Sequence, residues 1–258
     1  MSQSKETVGG TLLVAFILCV VCSAIVATAA VMLKPKQTAA KENDRSLNIL
    51  QIAGLYDDNK PLADQMSQVK ARVINLDTGK FTDELTVAQA IDPKKLARDA
   101  SKITKLDSDS DKAKLIRREN FGVVYIVEKD GQLDRVILPI RGYGLWSTLW
   151  GFVALQADLN TVIGLGYYQH AETPGLGGEV DNPKWKALWP GKKLFDGDEV
   201  AIKIIKGTVD PTQAGAEYQV DGLSGATLTS NGVHNMLHFW LGQQGYGPFL
   251  KNLKAGGA

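Results

Sequence analysis

Residues 221–231 read DGLSGATLTSN, a turn of small residues that ends in a cluster of hydroxyl groups. The turn leads into Val233–Leu241, where apolar residues recur at helical spacing and would anchor it. Glycine and alanine let a ligand approach the backbone closely, and the first free N–H groups of a helix attract an anion. A turn of this kind can hold a phosphate, and the candidate residues are then Asp221, Ser224, Gly225, Ala226, Thr227, Leu228 and Thr229.

The same stretch has a simpler interpretation, a helix start that is capped by its own side chains. Asp221, Ser224 and Thr227 each carry an oxygen that is suited to accept hydrogen bonds from the first helical N–H groups. Spacing alone favours the cap over the phosphate site.

The motif Asp-x-x-Ser-Gly-Ala-Thr in residues 221–227 resembles the flavinylation motif of the FMN-binding domain family. In that family the last threonine carries FMN through a phosphoester bond, which implies covalent FMN on Thr227. Residues 170–177 (HAETPGLG) and 142–146 (GYGLW) resemble two further signatures of the family, and residues 244–250 (QGYGPFL) resemble the tail of one of its branches. The four motifs occur in the expected order. The resemblance runs from the N-terminal anchor to the tail and so covers nearly the whole chain.

The two upstream blocks are the predicted wall of the flavin site. The resemblance implies that glycines and Leu176 form a narrow slot for the ring, while Thr173 and backbone N–H groups bind its polar edge. Glu172 is expected to orient its loop by accepting backbone hydrogen bonds, and Trp146 either borders the ring or belongs to the core. Alternatively, proline and glycine serve turn geometry alone. The candidate residues are Gly144, Leu145, Trp146, Glu172, Thr173, Gly175, Leu176 and Gly177.

The function implied by the resemblance is that of a membrane-anchored electron-transfer subunit in a sodium-translocating NADH:ubiquinone reductase. Its FMN would relay electrons between an iron–sulfur centre and a flavin of a neighbouring membrane subunit. A threonine hydroxyl is a poor nucleophile unaided, so a separate flavin transferase is an expected partner. Two alternatives remain: the flavin subunit of the related ferredoxin-linked ion-pumping complex, and a flavin-binding assembly module without redox duty.

The N-terminal segment is the one compositional break in the chain. Residues 11–33 carry no charge and are long enough to cross a bilayer. A cleaved signal peptide is the alternative, since residues 27–29 (ATA) resemble a cleavage site, but the apolar stretch is too long for one. The expected division is a tail at 1–10, a transmembrane helix at 11–33, a polar linker at 34–45 and an FMN-binding domain at 46–258.

The charge pattern and the family resemblance predict opposite orientations of this span. One lysine, Lys5, precedes the span, whereas Lys34, Lys36, Lys41 and Arg45 follow it, so the positive-inside rule would place the large domain in the cytoplasm. The family resemblance implies the opposite, a single-pass protein of the bacterial inner membrane with a periplasmic domain. We adopt the second expectation.

Composition and motifs exclude several other classes of function. The net charge is +1 and the sequence has no basic run, so nothing in it predicts a basic surface that would bind nucleic acid. Neither a G-x-G-x-x-G fingerprint nor a Walker A motif occurs, so no NADH site is recognisable in this chain. His234 and His238 lack the flanking glutamate of a zinc motif, which favours packing over metal binding. Cys19 and Cys22 lie inside the span, where packing is favoured over redox chemistry.

The predicted fold class is α+β, an antiparallel sheet with flanking helices. Asp130-Gly131, between two apolar runs, is a hairpin signal, and a second turn is expected at residues 158–160. The sheet is expected to begin near Phe121. The other expected elements are a helix from Leu47 to about Tyr56, helical segments in 87–100 divided at Pro93, a surface loop at 105–114 and a strand over 199–206.

Overall fold

The computed structural model describes residues 7–257, and the chain divides into two units, residues 1–45 and 46–258. Helix α1, Val8–Ile52, contains the predicted span, and its most apolar window has a mean hydropathy of 2.8 with none of it buried. It is long and apolar enough to cross a membrane. Most of the predicted tail lies outside the described residues, and its described end is helical from Val8.

The segment 34–45, predicted as a polar linker, continues helix α1. It is helical throughout and includes Pro35, because alanine, lysine, glutamine and glutamate are strong helix formers. The helix ends at Ile52 rather than near Tyr56. Gly54, with a φ of 65°, closes it: the Gly54 N–H donates to the Gln51 carbonyl, and the Leu55 N–H donates to the Leu50 carbonyl at 2.8 Å.

An antiparallel sheet of six strands forms the centre of the second unit, in the order β2-β1-β5-β6-β7-β8. This confirms the predicted fold class. The strands are β1 (Val69–Asn75), β2 (Lys80–Phe81), β5 (Phe121–Lys129), β6 (Gln132–Tyr143), β7 (Thr148–Gln156) and β8 (Val162–Gln169).

The hairpin prediction is confirmed, whereas two strand predictions are wrong. Asp130 and Gly131 both have positive φ, 53° and 77°, as a two-residue hairpin turn requires. The sheet begins at β1, which pairs along its whole length with β5, and not at Phe121. The predicted strand 199–206 is interrupted at residues 201–202, and its two halves join different two-stranded sheets.

The remaining elements surround the sheet, and the predicted division at Pro93 is confirmed. They are α2 (Leu62–Met66), α3 (Val87–Ala90), α4 (Pro93–Leu96), α5 (Pro183–Lys186), α6 (Thr227–Leu241), α7 (Gly247–Lys254), β3 (Ile103–Lys105), β4 (Arg117–Glu119), β9 (Phe195–Asp196), β10 (Glu199–Val200), β11 (Lys203–Ile205), β12 (Gln219–Asp221) and three 3-10 turns (Ala100–Lys102, Gly177–Asp181, Ala216–Tyr218).

Both faces of the sheet are buried. All five residues of 123–127 are buried, because alternate side chains enter two separate clusters. Val123, Tyr125 and Val127 join the cluster that contains Leu50 of α1. Val124 joins the cluster that contains the apolar stripe of α6. The sequence therefore reads as a continuous apolar run rather than as an alternating strand.

Helix α6 lies unusually close to the end of β6, and glycine makes this possible. A Cβ on Gly142 would lie 2.7 Å from the Met236 Cβ, and one on Gly232 would lie 2.5 Å from the Tyr143 carbonyl oxygen. These are closer than real Cβ contacts, so larger residues would push the helix away. The close approach brings the start of α6 beside the loop that joins β6 to β7.

Candidate functional site

Helix α6 begins at Thr227 itself and has no side-chain cap among the described residues. The capping interpretation is therefore wrong for this helix. Asp221 accepts instead from the Val209 N–H at 2.8 Å and so fixes the neighbouring loop, while Ser224 is exposed. The first N–H groups of α6 are thus left without a side-chain acceptor, which favours an anion at this end of the helix.

Three hydroxyl groups occur in the first turn of α6, and the structure separates them. Thr227 is exposed. Thr229 is 0% exposed and donates to Glu172 Oε2 at 2.8 Å. Ser230 is buried, and its Oγ accepts from the Leu223 N–H at 2.9 Å. Of these three hydroxyls, only that of Thr227 is open to a reagent from solvent.

The Glu172 carboxylate joins the three sequence blocks. Its oxygens accept from the N–H groups of Leu145, Trp146 and Ser147 at 3.0 to 3.2 Å, and from the Ser147 hydroxyl at 3.2 Å. With the bond from Thr229, one side chain connects the β6–β7 loop, its own loop and α6. As expected from the sequence, Glu172 accepts backbone hydrogen bonds.

The ionisation of Glu172 follows from these bonds. Burial by itself raises the pKa of this carboxyl, but hydrogen bonds from the Thr229 hydroxyl and from the N–H groups of Trp146, Leu145 and Ser147 outweigh burial. The net pKa is held below its ordinary value. Glu172 is therefore an anion at neutral pH, and its donors leave it no role as a proton donor.

Two glycines of the motifs pack directly on this carboxylate. A Cβ on Gly144 would lie 2.7 Å from Glu172 Oε1. A Cβ on Gly177 would lie 2.7 Å from Glu172 Oε2 and 2.5 Å from the Thr229 Oγ1. Both predicted site glycines therefore serve close packing around Glu172.

Gly175 and Thr173, in the block 170–177, form the turn itself. Gly175 has a φ of 75°, and the Thr173 carbonyl accepts from the N–H groups of Leu176 and Gly178. These bonds and the positive φ of Gly175 give the block the geometry of a tight turn. The turn places Leu176 against residues 221–227, since a Cβ on Gly225 would lie 3.1 Å from the Leu176 Cδ2. We call residues 221–227 the acceptor turn, after the flavin attachment that the sequence predicts at Thr227.

Exposed apolar side chains gather at the three blocks. Of the seven large apolar residues that are exposed in the described part of the second unit, five belong to the blocks. Trp146 is 67% exposed, so its assignment to the core is wrong. The Glu172 carboxylate holds the loops that carry these side chains together, and exposed apolar residues on adjoining loops indicate a surface that another group covers. We call it the apolar rim, and its members are Tyr143, Leu145, Trp146, Leu176 and Leu228.

A cleft of about 410 Å³ opens beside the acceptor turn. Ser224, Gly225 and Thr227 line one wall, and residues 206–208 line the other. Lys206 forms no ion pair with the carboxylates of the described residues. A second cleft, of about 520 Å³, lies on the other side of residues 221–224.

Sequence reasoning missed three residues of this region. Lys206 reaches the acceptor turn only through the parallel pairing of β11 with β12. Ser147 binds both Glu172 and the Ala171 N–H, and its position directly after the GYGLW block was the available signal. Asp181 contacts His170 Nε2 at 2.6 Å, and no sequence pattern linked these two residues.

The histidine pair on α6 is a packing feature in this structure. The rings of His234 and His238 lie 4.2 Å apart between centroids, and His238 Nε2 lies 2.8 Å from the Ile202 carbonyl oxygen. Desolvation and the neighbouring His238 lower the pKa of His234 to about 4. Among the described residues, no three His, Cys, Asp or Glu side chains converge as a metal site.

Comparisons with known proteins show to which family this domain belongs. The FMN-binding domain family matches residues 144–242, which contain the Glu172 network and the acceptor turn. The chain therefore contains an FMN-binding domain.

Other matches are more specific and cover most or all of this chain. A protein of Pseudomonas aeruginosa, named as the C subunit of the Na(+)-translocating NADH-quinone reductase, is 53% identical over 99% of each chain. One of the same name from Vibrio anguillarum is 45% identical over 100% of this chain and 99% of its own. The crystal structure of Shewanella oneidensis NqrC superposes with a TM-score of 0.75 at 36% identity, over 84% of this chain and 99% of that one. The chain belongs to this family of NqrC proteins, which are subunits of the Na(+)-translocating NADH-quinone reductase, an enzyme complex.

Proposed function

We propose that this chain carries FMN esterified to Thr227 and serves as an electron relay within the Na(+)-translocating NADH-quinone reductase. One observation carries the proposal: Thr227 is the exposed hydroxyl at the uncapped start of α6, whereas the Thr229 and Ser230 hydroxyls are buried and engaged. The family's FMN-binding domain covers this position.

The start of α6 fits the phosphate of FMN. The helix is 15 residues long and presents its dipole and its first N–H groups at Thr227. Lys206 supplies a positive charge across the adjacent cleft. A phosphodiester retains one negative charge, and these groups would stabilise it.

The apolar rim fits the flavin ring. Trp146 and Leu176 would border the ring, and Leu228, next to the attachment residue, would cover part of it. Bound FMN would supply reversible electron transfer. The chain's part is to hold the ring at an exposed edge of the domain, where a partner's redox group can approach it.

The proposed place of the relay is between an iron–sulfur centre and a flavin of a neighbouring membrane subunit. Covalent attachment keeps the flavin in place even where the ring is open to solvent. NADH oxidation and quinone reduction are assigned to other subunits. Sodium passage is assigned to them as well, because the apolar part of α1 carries no charged residue for an ion path. The relatives' names favour this complex over the ferredoxin-linked one.

Helix α1 is proposed to anchor the chain in the bacterial inner membrane with the domain in the periplasm. The flavin transferase of maturation would then act on the same side. Cysteines are placed singly at Ser2 or Lys254 in a chain whose Cys19 and Cys22 are replaced by serine, and labelling with a membrane-impermeant reagent tests the orientation. In intact spheroplasts we expect labelling at Lys254→Cys only, and labelling at Ser2→Cys only would overturn the periplasmic assignment.

The attachment site is tested by expression with a flavin transferase. The wild-type chain is expected to show in-gel flavin fluorescence and a mass increased by one FMN, and Thr227→Ala is expected to show neither. Thr78→Ala is the matched control and should carry flavin like the wild type, because Thr78 is also an exposed threonine but lies outside the site. Absence of covalent flavin in the wild type would refute the proposal.

The relay role is tested separately in the purified complex. NADH is expected to bleach the absorbance of the flavin on this subunit, and the complex with Thr227→Ala is expected to lose quinone reduction. A flavin that stays oxidised while the complex turns over would support the assembly-module alternative instead.

A further inference from the structure

The Glu172–Thr229 contact ties the acceptor turn to the rest of the site. Thr229 lies two residues after Thr227 in the first turn of α6, and it is completely buried against Glu172. The same carboxylate holds the loop that carries Leu145 and Trp146 of the apolar rim. One anion thus fixes both the proposed attachment residue and the proposed ring-binding loop.

We propose that Glu172 is a positioning residue for flavin attachment: through Thr229 and the 145–147 loop it holds Thr227 in the geometry that the transfer reaction needs. The inference rests on the proposed function, since it concerns the step that joins FMN to Thr227. Glu172 itself would touch neither the reacting atoms nor the phosphate.

The transfer step defines what must be positioned. An ester cannot form readily from FMN itself, so the donor is a flavin dinucleotide, in which FMN is joined to a nucleoside monophosphate by a phosphoanhydride. The Thr227 Oγ1–phosphorus bond forms as the phosphoanhydride bond breaks, and the nucleoside monophosphate leaves. The hydroxyl proton passes to a base of the transferase, and no electrons are transferred. The reaction is sensitive to the position of one oxygen atom.

The contacts of Glu172 require a carboxylate rather than an amide. Every group that contacts its side-chain oxygens by hydrogen bond is a donor: three backbone N–H groups and the hydroxyls of Ser147 and Thr229. A glutamine would turn its own NH₂ group toward some of these donors and lose their bonds. The packing of Gly144 and Gly177 against the carboxylate leaves no room for it to swing away.

Two substitutions probe the contact from opposite ends, and two serve as controls. Glu172→Gln removes the charge, and Thr229→Val removes the one side-chain donor on α6 while keeping the side-chain volume. Thr229→Ser restores a hydroxyl at the same place. Glu217→Gln is the matched charge control, because Glu217 is exposed and lies outside the site.

The experiment uses the purified full chain in detergent, produced without a transferase, then mixed with transferase and flavin dinucleotide. Initial rates are measured against acceptor concentration by gel fluorescence. We expect kcat to fall about 10- to 100-fold for Glu172→Gln and Thr229→Val, with KM little changed, because misplacement by about 1 Å costs rates of this order. Thr229→Ser and Glu217→Gln are expected to react like the wild type.

The outcomes separate the two proposals. If the wild type is flavinylated on Thr227 and both Glu172→Gln and Thr229→Val react at the wild-type rate, the positioning role is wrong while the attachment site stands. A rise in KM at unchanged kcat, or a Thr229→Ser variant as slow as Thr229→Val, would also overturn it. If Glu172→Gln does not fold, the Thr229 pair decides. If the wild type accepts no flavin, the proposed function itself fails.

Discussion

Gly177 lies where the Glu172 carboxylate meets the Thr229 hydroxyl, and this contact leaves no space for a methyl group. In Gly177→Ala the new Cβ would lie 2.5 Å from the Thr229 Oγ1 and 2.7 Å from the Glu172 Oε2. Its φ lies outside the left-handed range, so backbone strain does not contribute. The expected loss of stability comes from steric overlap and from the broken hydrogen bond.

The magnitude follows from these two contributions. Overpacking costs about 1–3 kcal/mol, and the loss of a hydrogen bond to a charged group costs about 1.5–3 kcal/mol. We expect a loss of about 4 kcal/mol in the free energy of unfolding. For a domain of this size, about 2–4 °C of melting temperature corresponds to 1 kcal/mol, so the midpoint should fall by roughly 10 °C.

The assay is thermal unfolding of the full chain in detergent, followed by near-ultraviolet circular dichroism. Gly122→Ala is the matched control, since its Cβ would lie 3.7 Å from the nearest Leu76 atom, an ordinary contact. Its melting temperature should be unchanged or slightly raised. If Gly177→Ala melts with the wild type, the packing argument for the Glu172 network is wrong.

Three further predictions concern other parts of the domain. The pKa of His234 is lowered to about 4, so between pH 6.5 and 4 the unfolded chain binds more protons than the folded chain. The free energy of unfolding should therefore fall as pH falls through that window. His234→Gln should flatten the dependence of melting temperature on pH. Glu119→Gln should destabilise the domain by about 3 kcal/mol in denaturant titrations, because the Arg141 side chain, only 11% exposed, loses its counter-charge; the Glu119 carboxylate lies 2.6 Å from Arg141 Nη2. Trp146→Ala should leave the melting temperature within about 1 °C, as expected for an exposed side chain, but should alter the fluorescence of attached flavin; an unchanged flavin spectrum would exclude Trp146 from the ring.

Local patterns in the sequence were sufficient to predict the strands β5 to β8. Asp130-Gly131 between apolar runs specifies a hairpin by itself, since the turn needs two residues with positive φ. The pairing of β1 with β5 joins residues about fifty positions apart, and no local signal reports it. No helix was predicted over residues 34–45, because the segment is polar and contains Pro35. The intrinsic helix propensity of its other residues nevertheless favours a helix.

The site was predictable where a motif carries its own chemistry. Glu172 was expected to accept backbone hydrogen bonds, and the structure has them. Asp221 was expected to face the ligand or the helix, yet it binds the Val209 N–H, because the adjacent loop is brought in by β11. Lys206 reaches the site by the same pairing. Contacts that depend on long-range pairing cannot be read from spacing alone.

The glycines around Glu172 have a consequence for how the gene can vary. Every amino acid other than glycine carries a Cβ, so any missense change at Gly144 or Gly177 introduces an overlap. The exposed members of the apolar rim have no such constraint on the isolated domain. In a random-mutant library selected only for folding, these positions should therefore remain glycine, while the residue types at positions Trp146 and Leu228 should vary. Selection for respiration should remove that drift, and the difference between the two libraries would outline the surface that is covered by flavin and by the rest of the complex.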